Sequence, residues 1–124
     1  MQQELLYKEE YYKIIGICME VHKHLKNGLL EIVYKDAIEY EFFKSGIPFE
    51  REKEFAVEYK DVILKHKFYA DFVVYDKIIL EVKSVSEIPE VYFSQILNYL
   101  KISECRLGIL VNFGKSLQHQ RVVN

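Results

Sequence analysis

The segment Ile78-Ile79-Leu80-Glu81-Val82-Lys83 constrains the fold more than any other stretch of the chain. It is short and almost wholly apolar, the pattern of a strand covered on both faces. Pro89 follows, near the start of a helix expected over 90–102, where proline is tolerated. Leu107 to Phe113 is a second strand of the same buried kind. A strand–helix–strand step implies one parallel pairing, so the chain reads as α/β or mixed α+β, with a mixed sheet.

Upstream, Ile14, Cys18, Val21 and Leu25 recur at helical spacing and predict a first helix over 7–25. Lys26-Asn27-Gly28 ends it, because Asn and Gly tolerate positive φ. A second helix is expected over 30–44, with Val33, Ala37 and Tyr40 on one side, stopped by Ser45-Gly46-Ile47-Pro48. From Phe49 to Tyr59 the chain alternates. Phe49, Arg51, Lys53, Phe55, Val57 and Tyr59 face one way and Glu50, Glu52, Glu54 and Glu58 the other, which predicts a half-exposed strand with its acidic face in water. Lys60-Asp61 is a turn, Val62 to Val74 is strand-like with a bend near His66, and Tyr75-Asp76-Lys77 is a second turn. The tail beyond Ser116 is weakly patterned, with an edge strand expected at 120–123.

The 124 residues predict one compact domain over 1–124. Half of them are apolar and 29% charged, which excludes a disordered or fibrous chain. No apolar run reaches the roughly 18 residues of a spanning helix. The polar start Met1-Gln2-Gln3-Glu4 is not expected to act as a secretory signal. Cys18 and Cys105 form neither a disulfide framework nor a CxxC pair and are expected to be reduced core thiols of a cytoplasmic protein. The net charge of −2 argues against a broadly basic nucleic-acid coat. Residues 1–62 carry a net −4 and residues 63–124 a net +2, so a phosphate-facing surface is expected in the second half.

Chemistry concentrates around the buried strand. Residues i and i+2 of a strand share a face, so Glu81 and Lys83 point together while Leu80 and Val82 enter the core. A charge there must be paired or bind a metal. A hairpin pairing Phe72 with Leu80 would bring the Asp71 carboxylate near Glu81. Mg²⁺ suits such a pair, since it prefers a few carboxylates with waters and a substrate phosphate. A nearby ammonium, Lys83, could steady a nucleophilic water or charge building on phosphate. The bland alternative is a Glu81–Lys83 ion pair at a strand end. Two further clusters are ambiguous alone. In Gly28-Leu29-Leu30-Glu31-Ile32-Val33-Tyr34, Glu31 opens a helix and Tyr34 lies one turn on. Gln95 and Tyr99 share a face of the third helix at i, i+4, and both can hydrogen-bond phosphate or metal-held water.

Taken in order, G-x-x-E-x-x-Y, then D, then E-x-K, then Q-x-x-x-Y, the sequence resembles the PD-(D/E)XK nuclease superfamily, in particular its small stand-alone family named for the GxxExxY motif. The likeness extends from Ile14-Ile15-Gly16 through Gly46-Ile47-Pro48-Phe49 and Ala70-Asp71-Phe72 to the run 107–114. The resemblance implies a restriction-endonuclease-like core in αβββαβ order, a mixed four-stranded sheet flanked by helices. It also implies a Mg²⁺- or Mn²⁺-dependent nuclease acting on nucleic acid, DNA ahead of RNA. Asp71 and Glu81 would hold the metal, with the Val82 carbonyl as a third ligand and Glu31 as an additional metal or water ligand. Lys83 would position or activate the attacking water. Gln95 and Tyr99, together with Tyr34, would contact nucleic acid or metal-held water. Two departures stand out: the residue before the acid is Ala70, and Tyr69 stands where relatives tend to carry Arg, which weakens a phosphate contact.

His22 and His24 lie about 200° apart around a helix and cannot share a metal. His22 is read as a surface or satisfied core group. The alternative function is a non-catalytic nucleic-acid- or protein-binding module on the same fold, and a homodimer using exposed aromatics is a third reading. No partner membrane is expected.

Overall fold

The computed structural model describes residues 5–124. The polar start read above as no secretory signal, residues 1–4, lies outside them. Two helices come first, α1 (Lys8–Leu25) and α2 (Glu31–Lys44). They are followed by strands β1 (Phe49–Tyr59), β2 (Val62–Val74) and β3 (Ile78–Lys83), then α3 (Val91–Ser103), β4 (Leu107–Phe113) and β5 (Leu117–Val123). The expected αβββαβ core is therefore framed by α1 before it and β5 after it. One five-stranded sheet runs β1-β2-β3-β4-β5. Its single parallel ladder is β3 with β4, joined through α3, and the other neighbours are antiparallel. The edge strand is longer than the four residues expected, because Leu117 to Gln120 pair with β4 despite their polar pattern.

Helices α1 and α2 cover one face of the sheet and α3 the other. On the first face, Ile14, Cys18, Tyr34, Ile38 and Phe42 pack against Phe72, Leu80, Val82, Ile109 and Val111. On the second, Ile96 and Leu100 pack against Val73, Ile79 and Leu110. Strand β4 alternates between the two, and Gly108 lies beneath α3, where an added Cβ would stand 2.8 Å from Ile96 Cδ1. Only glycine lets the helix approach the sheet this closely.

The buried stripe of α2 differs from expectation. It is Tyr34, Ile38 and Phe42, whereas Val33 and Tyr40 are 37% and 61% exposed. Ile32, Val33, Tyr40 and Phe43 put apolar groups on its outer side as well, so periodicity alone selects no face. Aromatic packing does: the Phe42 ring lies 5.5 Å from both Phe49 and Phe72. Both cysteines are free, Cys18 in the core and Cys105 only half-buried. Burial pushes the Cys18 thiol up to about 12. His22 is a satisfied group, its Nε2 donating to the Gly114 carbonyl at 2.9 Å.

Candidate active site

The site forms where β2 and β3 part. Their ladder ends at Phe72↔Leu80. Beyond it the N–H groups of Asp71 and Val82 have no strand partner, and a buried N–H must find one. Carboxylates fill the gap. Asp71 N–H donates to Glu81 Oε2 at 2.7 Å, and Val82 N–H donates to Asp71 Oδ2 at 2.8 Å. Asp71 and Glu81 are 8% and 4% exposed. Two acids that would otherwise be solvated are thus fixed side by side by the backbone between them.

The β1–β2 hairpin brings a third acid. Its tip pairs Glu58 with Ile63, yet further in Ala56 pairs with Lys67. The irregularity carries extra residues on β2 at 64–66, the place where a bend was expected. Those extra residues shift the register, and the flanking pairs Arg51↔Phe72 and Lys53↔Ala70 then set Glu52 across from Asp71. At the same point the hairpin changes faces. Phe49 and Phe72 pack beneath α1 and α2, while Phe55 and Ala70 pack beneath α3. Glu52 takes φ 53° there, a left-handed conformation worth about 1–3 kcal/mol of strain for a non-glycine residue.

Through the opening reach side chains of both helix layers. Lys35 of α2 donates to Asp71 Oδ1 at 3.1 Å and to Glu52 Oε1 at 2.8 Å. Glu31, first residue of α2, feels the charges of Lys83, Asp71, Lys35 and Glu52, and burial raises its carboxyl above the ordinary range. Tyr99 of α3 is raised first by burial and then by the negative charge of Glu81 and Asp71, so it borders the same acids. Lys83 lies with its ammonium 4.5 Å from the Tyr92 ring centroid. Glu81 carries the largest perturbation: burial, then the Asp71 charge, push its carboxyl up to about 8. Four carboxylates (Glu31, Glu52, Asp71, Glu81) face two ammonium groups (Lys35, Lys83), a formal surplus of two negative charges. Such a donor set of hard oxygens fits a divalent cation, and Mg²⁺ needs only one or two of them beside water and phosphate. Among the described residues, no three His, Cys, Asp or Glu side chains stand close enough to cage a metal by themselves.

The residues singled out in the sequence are distributed as follows. Asp71, Glu81, Lys83, Glu31 and Tyr99 lie around the opening, and the Val82 peptide abuts Asp71. Gln95 is exposed, one turn before Tyr99 on α3. Tyr34 is a correction. It is fully buried, stacked on Phe113 at 4.3 Å. Its hydroxyl donates to the Lys26 carbonyl at 2.6 Å and accepts from Leu29 N–H at 3.2 Å. It pins the α1–α2 loop and has no surface to offer a ligand. Two residues were missed, Lys35 and Glu52. Lys35 is i+4 from Glu31, so its presence on the same helix face was readable. Glu52 was hidden by the register shift. Beyond a hydrogen bond from Ser84 Oγ to the Leu29 carbonyl, 2.7 Å long, opens a groove of about 540 Å³ bordered by Gly28, Ser84, Ser86, Lys115 and Gln118.

A sequence profile described as the PD-(D/E)XK nuclease superfamily matches residues 8–123. No curated protein matches the chain. Among solved structures it is similar to the crystal structure of SSO0001, with a TM-score of 0.62 and 19% sequence identity, covering 95% of this chain and 59% of that one. The chain therefore spans less than two thirds of that structure, and the likeness is one of fold. No helix among the described residues is long and apolar enough to cross a membrane. A profile match along nearly all of the chain, joined to a mixed sheet with helices on both faces, makes the fold restriction-endonuclease-like, and the chain belongs to the PD-(D/E)XK nuclease superfamily.

Proposed function

We propose that the chain is a Mg²⁺- or Mn²⁺-dependent nuclease of the GxxExxY family that hydrolyses phosphodiester bonds, with DNA as substrate, and that residues 1–124 work as one domain. The observation that carries this reading is the interlocked pair Asp71–Glu81 at the point where β2 and β3 separate, beside the ammonium of Lys83. Asp71 and Glu81 would hold the metal, with the Val82 carbonyl and Glu31 as further ligands. When bound, the metal would supply Lewis-acid stabilisation of phosphate oxygens and a more acidic water.

The chain's own groups do the rest. Lys83, two residues along the strand from Glu81, donates hydrogen bonds to the attacking water or to the phosphate. Its positive charge opposes the charge that builds as the new oxygen–phosphorus bond forms and the bridging oxygen on the far side leaves, to be protonated by solvent water. Glu31, its carboxyl raised by burial, is suited to take up a proton from that water. Tyr99 and the exposed Gln95, one turn apart on α3, would hold the phosphate backbone. The groove past Ser84 would take the strand on one side of the cleaved bond. The free cysteines favour the cytoplasm. Exposed Tyr40 and Phe43 on α2 would serve a homodimer, which light scattering would reveal.

The net charge of −2, which gives no broadly basic surface for a nucleic-acid substrate, favours the second reading, a nucleic-acid- or protein-binding module on the same fold. A digestion panel of single- and double-stranded DNA and RNA, with Mg²⁺ or Mn²⁺, separates the two. Cleavage by the wild type and none by a folded Lys83→Ala protein is expected. Equal activity in both proteins would refute the catalytic assignment, and binding without cleavage would support the module.

A further inference from the structure

Lys35 has no part in the reading above, and its environment is uncommon for a lysine. Its side chain is only 12% exposed, although lysine heads almost always sit in water. The ammonium bridges two unlike acids. Asp71 is buried, with a side chain 12% exposed, whereas Glu52 is open to water at 48%. The strained backbone of Glu52 holds this outer carboxylate next to Lys35, and strain that persists at a candidate site marks a geometry the fold is built to keep. Asp71 has its second oxygen committed to the Val82 N–H, so Lys35 occupies Oδ1, the oxygen left for a cation. An ammonium and a divalent ion on one carboxylate oxygen repel each other strongly in a poorly screened site. One must yield, and Lys35 has a second anchor to yield to.

We propose that Lys35 is an internal counter-cation: it rests on Asp71 in the metal-free protein and withdraws to Glu52 when a divalent metal takes that carboxylate. The proposal rests on the assignment of Asp71 as a metal ligand. Lys35 thereby keeps the buried acids partnered before metal arrives and sets how tightly metal binds. A merely structural ion pair would hold the fold without restraining the metal, so the two roles differ in a binding measurement.

Isothermal titration of the metal-stripped chain with Mn²⁺ alone tests this. Lys35→Met, with the stem kept and the charge removed, should bind Mn²⁺ at least tenfold more tightly than wild type. Glu52→Gln, which removes the place of retreat, should bind it several-fold more weakly. In the Lys35→Met background the effect of Glu52→Gln should shrink to less than twofold, since coupled residues do not act additively. Unchanged or weaker Mn²⁺ binding by Lys35→Met would overturn the proposal. If Lys35→Met does not fold, Lys35→Gln carries the same expectation, with folding checked by circular dichroism. Asp71→Asn separates this role from the site on which it rests: wild type and Asp71→Asn binding Mn²⁺ equally would overturn both, whereas a loss in Asp71→Asn without a gain in Lys35→Met would overturn the Lys35 role alone.

Discussion

Replacing Glu81 by Gln should stabilise the metal-free protein in mildly alkaline solution while destroying its affinity for metal. Burial and the neighbouring Asp71 charge push the Glu81 carboxyl from 4.5 up to about 8. Between those values the folded protein keeps a proton that the unfolded chain has released. Raising the pH through that window therefore favours unfolding. Each unit of displacement is worth about 1.4 kcal/mol, so the fully ionised group would weaken the fold by up to about 5 kcal/mol. Gln has the shape of the protonated acid, and its amide oxygen can still accept from the Asp71 N–H. Its NH₂ group, if left without an acceptor, takes back roughly 1–3 kcal/mol. A net gain of about 2–4 kcal/mol is expected at pH 9, roughly 6–20 °C in Tm for a chain of this length. Near pH 5 the sign reverses: the folded Glu81 is neutral, little is gained by removing its charge, and the unpaired NH₂ should leave Glu81→Gln about 1 kcal/mol less stable than wild type. Urea melts with a chelator present, followed by circular dichroism at pH 5, 7 and 9, measure it. A wild type whose stability does not fall with pH relative to Glu81→Gln would refute the picture of a carboxyl kept protonated by burial and the Asp71 charge.

Other expectations concern the frame around the site. Tyr34→Phe leaves the Lys26 carbonyl and Leu29 N–H without their shared partner and should cost about 1–2 kcal/mol in urea melts, with cleavage per folded molecule unchanged. Gly108→Ala drives a methyl against Ile96 and should destabilise by about 1–3 kcal/mol; combining it with Ile96→Val should restore part of that, as a double-mutant cycle would show. Arg51 pairs with Asp36 and Glu39 of α2 rather than with Glu52 or Asp71, and Arg51→Met should lower stability by about 1 kcal/mol or less without altering Mn²⁺ affinity in a titration.

Much of this architecture was readable. The strand–helix–strand step from Ile78 to Phe113 foretold the parallel β3–β4 ladder, because a fully apolar strand has to be covered on both faces. The hairpin turn at Tyr75-Asp76-Lys77 fixed the β2–β3 pairing that sets Asp71 against Glu81. Local pattern failed where tertiary contacts decide. The buried face of α2 is chosen by Phe49 and Phe72, which lie elsewhere in the chain. Tyr34 had the spacing of a site residue, yet its hydroxyl serves the loop beneath it. Glu52 read as one of four solvated glutamates, and only the shifted β1–β2 register carries it opposite Asp71. The family profile reaches the fold and the nuclease class.

Crystals of the metal-stripped protein soaked in Mn²⁺, with data collected for anomalous scattering, address the core claim most directly. A manganese peak in direct contact with carboxylate oxygens of both Asp71 and Glu81 is the predicted result. Anomalous density bound elsewhere, or none beside these two acids in a protein that still cleaves nucleic acid, would contradict it.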